Sequence, residues 1–178
     1  GLMSSSACLA EDYASLVRQT PRLLAYYRCE SAAEALVDDV QADRPGRFTG
    51  APTSGVPGAT PALGSGLRLA DQGHLRIPDL GTHAAVTIEL WLKLRKVPVE
   101  GIAGVYAADG WEPGLFHFNL FGGTDLELAI NGTGHFPHSE PETLRLDRWT
   151  HLATTYDSTT GELRLYRDGR LLIDVIAA

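Results

Sequence analysis

From Leu67 onward, apolar and polar positions alternate along the chain at the two-residue period of strands with one buried face. The pattern predicts strands over residues 67–69, 74–77, 85–94, 102–107, 115–121, 126–131, 144–146, 149–156, 163–167 and 171–175. Turn signals separate them: Phe121-Gly-Gly-Thr-Asp125, Asn131-Gly-Thr-Gly134, Ser158-Thr-Thr-Gly161 and Asp168-Gly169. The last stands between two alternating apolar runs, the strongest short-range signal for a hairpin. Upstream the period changes. Leu9, Tyr13, Leu16 and Val17 recur at helical spacing and Pro21 ends the run, so a short helix is predicted over residues 9–20. Residues 24–29 read as a first strand, and Ala32 to Val37 as a helical turn. Over residues 42–66, Pro45, Pro52, Pro57 and Pro61 alternate with six glycines. Such breakers imply a long surface loop. It is placed within one domain, because the residues before it are too few to fold alone. Many short strands with little helix predict an all-β sandwich or barrel carrying a short N-terminal helix.

Composition changes this picture little. A chain of 178 residues suits one domain, here residues 9–178, with residues 1–8 read as a cloning scar or unstructured lead. At that length a hydrophobic core suffices for folding without a staple. No apolar run approaches the ~18–20 residues that span a bilayer, and no signal-peptide pattern opens the chain. Net charge is −7 and Lys/Arg runs are lacking, which sets aside nucleic acid and anionic membranes as partners. Cys8 and Cys29 match no zinc spacing; they either pair in an oxidising compartment or remain free thiols.

Val86-Thr-Ile-Glu-Leu-Trp-Leu-Lys93 resembles the T-I/L-E-x-W-h-K strand of the laminin-G-like, concanavalin A-like superfamily. Gly66-Leu-Arg-Leu69 with His74-Leu-Arg-Ile-Pro78 is similar to the approach to that strand. Arg148-Trp-Thr-His-Leu-Ala-Thr-Thr-Tyr-Asp157 resembles W-x-H-V-A-x-T-Y-D, and Gly161-Glu-Leu-Arg-Leu-Tyr-Arg-Asp-Gly-Arg170 the following hairpin. The lead-in from Tyr13 to Glu30 is similar to that of bacterial surface copies, with Tyr27 and Cys29 where Trp and Leu are usual. The resemblance implies a jelly-roll sandwich and an extracytoplasmic location on the cell surface, in the periplasm or secreted. It also implies two further strands after the hairpin, so the sequence is either a piece of a longer chain or is completed by another chain, which is then an expected partner. A structural Ca²⁺ is implied near Asp38 and Asp39, which match the family's D-x-S-G position, with Val40-Gln41 replacing Ser-Gly. Trp91 and Trp149 fall in the family's strand-core positions.

Chemistry is sparse. Retaining glucan hydrolysis needs two carboxylates about 5–5.5 Å apart on one face, yet the family-comparable strand carries Glu89 alone, so no enzymatic activity is expected. No nucleophile elbow or phosphate loop is present. His135 and His138 stand three apart without a third ligand at fitting spacing. Alternation sends Phe116, Phe118 and Leu120 to one face of residues 115–121, and His117 and Asn119 to the other. In the next strand Glu127, Ala129 and Asn131 oppose Leu126, Leu128 and Ile130. Paired as a hairpin, His117, Asn119, Glu127 and Asn131 would share one face suited to sugar hydroxyls, with Trp111 or Phe136 to stack on a pyranose. The plainer alternative is a solvated sheet face. The expected function is non-catalytic recognition, with glycan favoured over protein ligands. Alternatives are an assembly domain that docks through incomplete strands, and a degenerate glycan hydrolase.

Overall fold

The computed structural model describes residues 13–32, 44–69, 72–97, 101–121, 123–134 and 136–177. The chain divides into two compact units, Gly1–Thr82 and His83–Ala178. Asp38, Asp39, Cys8 and most of the predicted turn at 32–37 lie outside the described residues. No helix among the described residues is long and apolar enough to cross a membrane.

The first unit holds the predicted helix, over residues 13–18, and strands β1 (Arg47–Thr49), β2 (Thr53–Pro57), β3 (Ser65–Arg68) and β4 (His74–Arg76). β1 pairs antiparallel with β4, and β2 with β3. Two sequence expectations fail here. Residues 24–29 form no strand: Arg22 and Cys29 bracket them with φ of 61° and 55°, outside the extended range a ladder needs. Side chains hold this stretch instead. The Tyr27 hydroxyl donates to the Arg44 carbonyl at 2.8 Å, and Arg28 pairs with Glu30. Conversely, the stretch 42–66 is not a bare loop, since β1, β2 and the start of β3 lie in it. Its breakers serve the hairpin. The register of β2 against β3 shifts between Thr53 and Val56, where Gly55 takes φ 76°, and a Cβ on Gly58 would lie 2.8 Å from the Gly64 carbonyl oxygen. Cys29 is a free thiol, and burial pushes its pKa up to about 11.

The second unit is the predicted sandwich. Its strands are β5 (Ala85–Lys93), β6 (Ile102–Ala107), β7 (Phe116–Phe121), β8 (Asp125–Ile130), β9 (Trp149–Asp157), β10 (Glu162–Arg167) and β11 (Arg170–Ile176). One sheet runs β11-β10-β9-β5 and the other β6-β7-β8, antiparallel throughout. Leu152, Leu163, Leu165 and Ile173 from the first meet Phe118, Leu120, Leu126 and Leu128 from the second, with Leu90 and Leu92 packed against them. Residues 144–146 are not a strand. Leu144 alone is buried, its amide donates to the Thr124 carbonyl, and Asp147 at φ 58° turns the chain back toward Leu94. The tryptophans also depart from expectation. Positions 90 and 92 of β5 and 150, 152 and 154 of β9 face the core, so Trp91 and Trp149 lie on the outer face, Trp91 38% exposed and Trp149 half-buried.

Candidate functional site

The face of β7 and β8 turned away from the core gathers the residues singled out in the sequence. Register sets Asn119 opposite Glu127 and His117 opposite Ala129, with Asn131 one step beyond the end of β8. Asn119 Nδ2 donates to Glu127 Oε1 at 3.0 Å, a charge-assisted bond across the pair. Asn131 Nδ2 lies 3.3 Å from His117 Nε2. With that nitrogen accepting, the imidazole is neutral and its proton sits on Nδ1. Desolvation holds the His117 pKa below its ordinary value, against a backbone hydrogen bond at Gly110 and the Glu127 charge, which push it up.

These four side chains are 2–8% exposed, so they lie beneath the surface rather than on it. Two coverings account for that. Trp111 lies flat on the His117 ring, centroids 4.5 Å apart and planes within 13°, while the indole itself is 69% exposed. The segment before β7 is fixed to the end of β8 by Gly114 N–H donating to the Asn131 carbonyl and Asn131 N–H donating to that of Leu115. At the other end, residues 137–139 line the edge of β8. Leu128 N–H donates to the Pro137 carbonyl, Ser139 N–H to that of Leu126, and Leu126 N–H to Ser139 Oγ. This path sets His138 Nε2 3.3 Å from Glu127 Oε2, with the Phe121 ring edge-on to His138 at 4.8 Å. Glu127 thus has partners on both oxygens, which is what a carboxylate at 7% exposure requires.

His138 and Phe121 are the members that sequence reasoning did not assign to the face. For His138 the signal was the His135-Phe-Pro-His138 run, where the two imidazoles were weighed as a metal clamp; for Phe121 it was the strand alternation that puts it on the side of His117 and Asn119. Among the described residues, no three His, Cys, Asp or Glu side chains converge as metal ligands.

The β6 side of the face is open. Gly104 stands opposite Asn119 and Ala107 opposite His117, both exposed and too small to fill the space. Ile102, 50% exposed, flanks Phe121, 42% exposed. Exposed Trp111 and Phe121 thus stand at the two ends of a strip along β7, the β7 trough, with His117 and Asn119 buried beneath it. From His117 to Phe121 it spans about 13 Å at ~3.3 Å per residue. A separate concavity of about 230 Å³ is lined by Glu140, Glu142, Thr143, Arg167, Arg170 and Leu172 among others. Arg167 is already committed there to the Thr143 carbonyl at 2.6 Å. It has volume but no aromatic plate, and the trough has the chemistry.

Comparison with curated proteins and with solved structures found no significant match. A family model does match, over residues 69–174, more than half of the chain, and it covers β5 to β10 and most of β11 of the second unit. The chain belongs to the laminin-G-like branch of the concanavalin A-like lectin/glucanase superfamily.

Proposed function

We propose that this domain is a non-catalytic carbohydrate-recognition module that reads a glycan along the β7 trough. One observation carries the reading: an indole 69% exposed is stacked on one side against a buried imidazole. A flat aromatic plate, braced and facing water, suits the apolar face of a pyranose, where it adds stacking to area burial. The buried row His117, Asn119, Glu127 and Asn131 then preorganises the plate and the trough floor, which lowers the ordering cost of binding. His138 and Phe121 supply a polar and an apolar contact at the far end. Membership of a superfamily of lectins and glucanases supports the ligand class. Recognition without hydrolysis is the better reading because Glu127 is tied to Asn119 and His138 and so poorly placed for acid–base work.

A glycan array followed by calorimetry tests this, run with and without EDTA to read any Ca²⁺ requirement. Trp111→Ala should weaken binding at least tenfold with the melting temperature nearly unchanged, since the side chain is mostly outside the fold. His117→Ala should weaken binding and stability together. Unchanged affinity in Trp111→Ala would overturn the trough as the site, and release of reducing ends from the bound glycan would overturn the absence of catalysis.

A further inference from the structure

We infer that the outer face of the four-stranded sheet carries a second, independent sugar-binding site around Trp91, His151 and Glu89. The ligand class rests on the carbohydrate reading above, but the residues are different and lie on the other sheet. β5 presents Glu89 and Trp91 to the exterior, 58% and 38% exposed. Register places Trp91 directly opposite His151 of β9 and Glu89 opposite Ala153. The Trp91 and His151 rings meet at 5.2 Å with planes 53° apart, and His151 Nε2 lies 3.4 Å from Glu89 Oε2. An indole, an imidazole and a carboxylate thus recur here, as with Trp111, His117 and Glu127 on the other sheet.

The strand beyond supplies the other flank. Tyr166 of β10 pairs with Ala153 from its other side, so the row across the sheet reads Glu89, Ala153, Tyr166. A methyl group between two long side chains leaves a low point at Ala153. Glu89 and Tyr166 flank it across the sheet, and His151, with the Trp91 ring against it, borders it along β9. Two interstrand spacings separate Glu89 from Tyr166, about 10 Å between backbones, the width of one pyranose ring with its hydroxyls.

Charge selects among occupants. Lys93 stands two residues along the same face of β5 from Trp91 and disfavours a cation over the indole, while Glu89 disfavours an anion. Arg164, which could have offset Glu89, is held by Asp174 and Glu162 at 3.1 and 3.0 Å. What fits is a neutral polyhydroxyl ring, stacked on an aromatic side chain with an acceptor and an imidazole beside it. With one such site on each sheet, the domain would bridge two glycan strands.

Indole N–H signals in ¹⁵N spectra read each tryptophan separately. Titration with cellobiose, maltose and N,N′-diacetylchitobiose should move the Trp91 signal with saturation by at least one of them. That movement should persist in Trp111→Ala. In Ala153→Leu, which fills the low point and removes no polar group, the affinity read at Trp91 should fall at least tenfold. Glu89→Gln gives the same readout should Ala153→Leu fold poorly. A shift of Trp111 alone overturns this site and leaves the β7 trough standing. Movement of Trp91 alone sustains this site and counts against the trough. Silence of both overturns both.

Discussion

An imidazole under an indole is a charge-sensitive joint. The His117 ring resists protonation because it is desolvated, so the folded chain binds that proton less readily than the unfolded chain, where the ring titrates near 6.5. The sign follows from linkage. Above about pH 6.5 both states carry the neutral ring and the full stability is present; as pH falls below it, protons favour the unfolded chain and stability is lost. The melting temperature should therefore drop between pH 7 and pH 5, and His117→Gln should flatten that drop; equal slopes in the two proteins would exclude the ring as the cause. Residue identities at this face were legible in sequence because strand alternation is strict: His117, Asn119, Glu127 and Asn131 do meet. Their depth was not legible. Alternation tells which face a side chain occupies, not what folds over that face, and here Trp111 and His138 arrive from segments without periodicity.

At the scale of elements, local turn chemistry decided what could be read. Asp168 and Gly169 take φ of 49° and 76°, the doubly positive geometry of a two-residue turn between β10 and β11, and the strands pair up to Arg167 and Arg170. Asp168 also ties the tip to β9, its Oδ1 accepting from His151 N–H at 3.0 Å. Gly169→Ala has open space for its Cβ, so any cost comes from backbone conformation alone. It should lower stability by about 1 kcal/mol, read by urea unfolding, and a neutral result would mean the turn relaxes to another type. The same logic explains the misreadings. In residues 42–66, Gly55 and Gly58 look like breakers but sit at a register shift and at a close backbone approach within the β2–β3 pair. In residues 24–29 the composition suits a strand, but a strand exists only with a partner, and pairing across long sequence separation is invisible in a local pattern.

For the whole molecule, the sandwich rests on a compact apolar layer whose buried strand members come from β7 to β11, with Leu90 and Leu92 of β5 and Ala103, Val105 and Tyr106 of β6 packed against it. Leu128, Leu152 and Leu165 are fully buried between the sheets. Leu165→Ala should cost about 2–5 kcal/mol, through lost transfer free energy and the cavity left behind. Thr154 is a buried polar residue facing that layer, and it is satisfied by donating its hydroxyl proton to the Arg164 carbonyl at 2.9 Å. Thr154→Val should be far milder than Leu165→Ala under the same denaturation assay; a comparable loss would mean the hydroxyl matters more than packing at that depth.

The pairing of Asn119 with Glu127 on one side of β7 and β8, and of Phe118 with Leu128 on the other, has a consequence for errors in folding. A slip of one residue between these strands would thrust a carboxylate into the oily interior and turn a phenyl ring outward at the same moment. Any molecule assembled well enough to be compact has thereby already set the groove proposed to receive sugar, so the fraction able to bind should track the fraction folded without a separate maturation step.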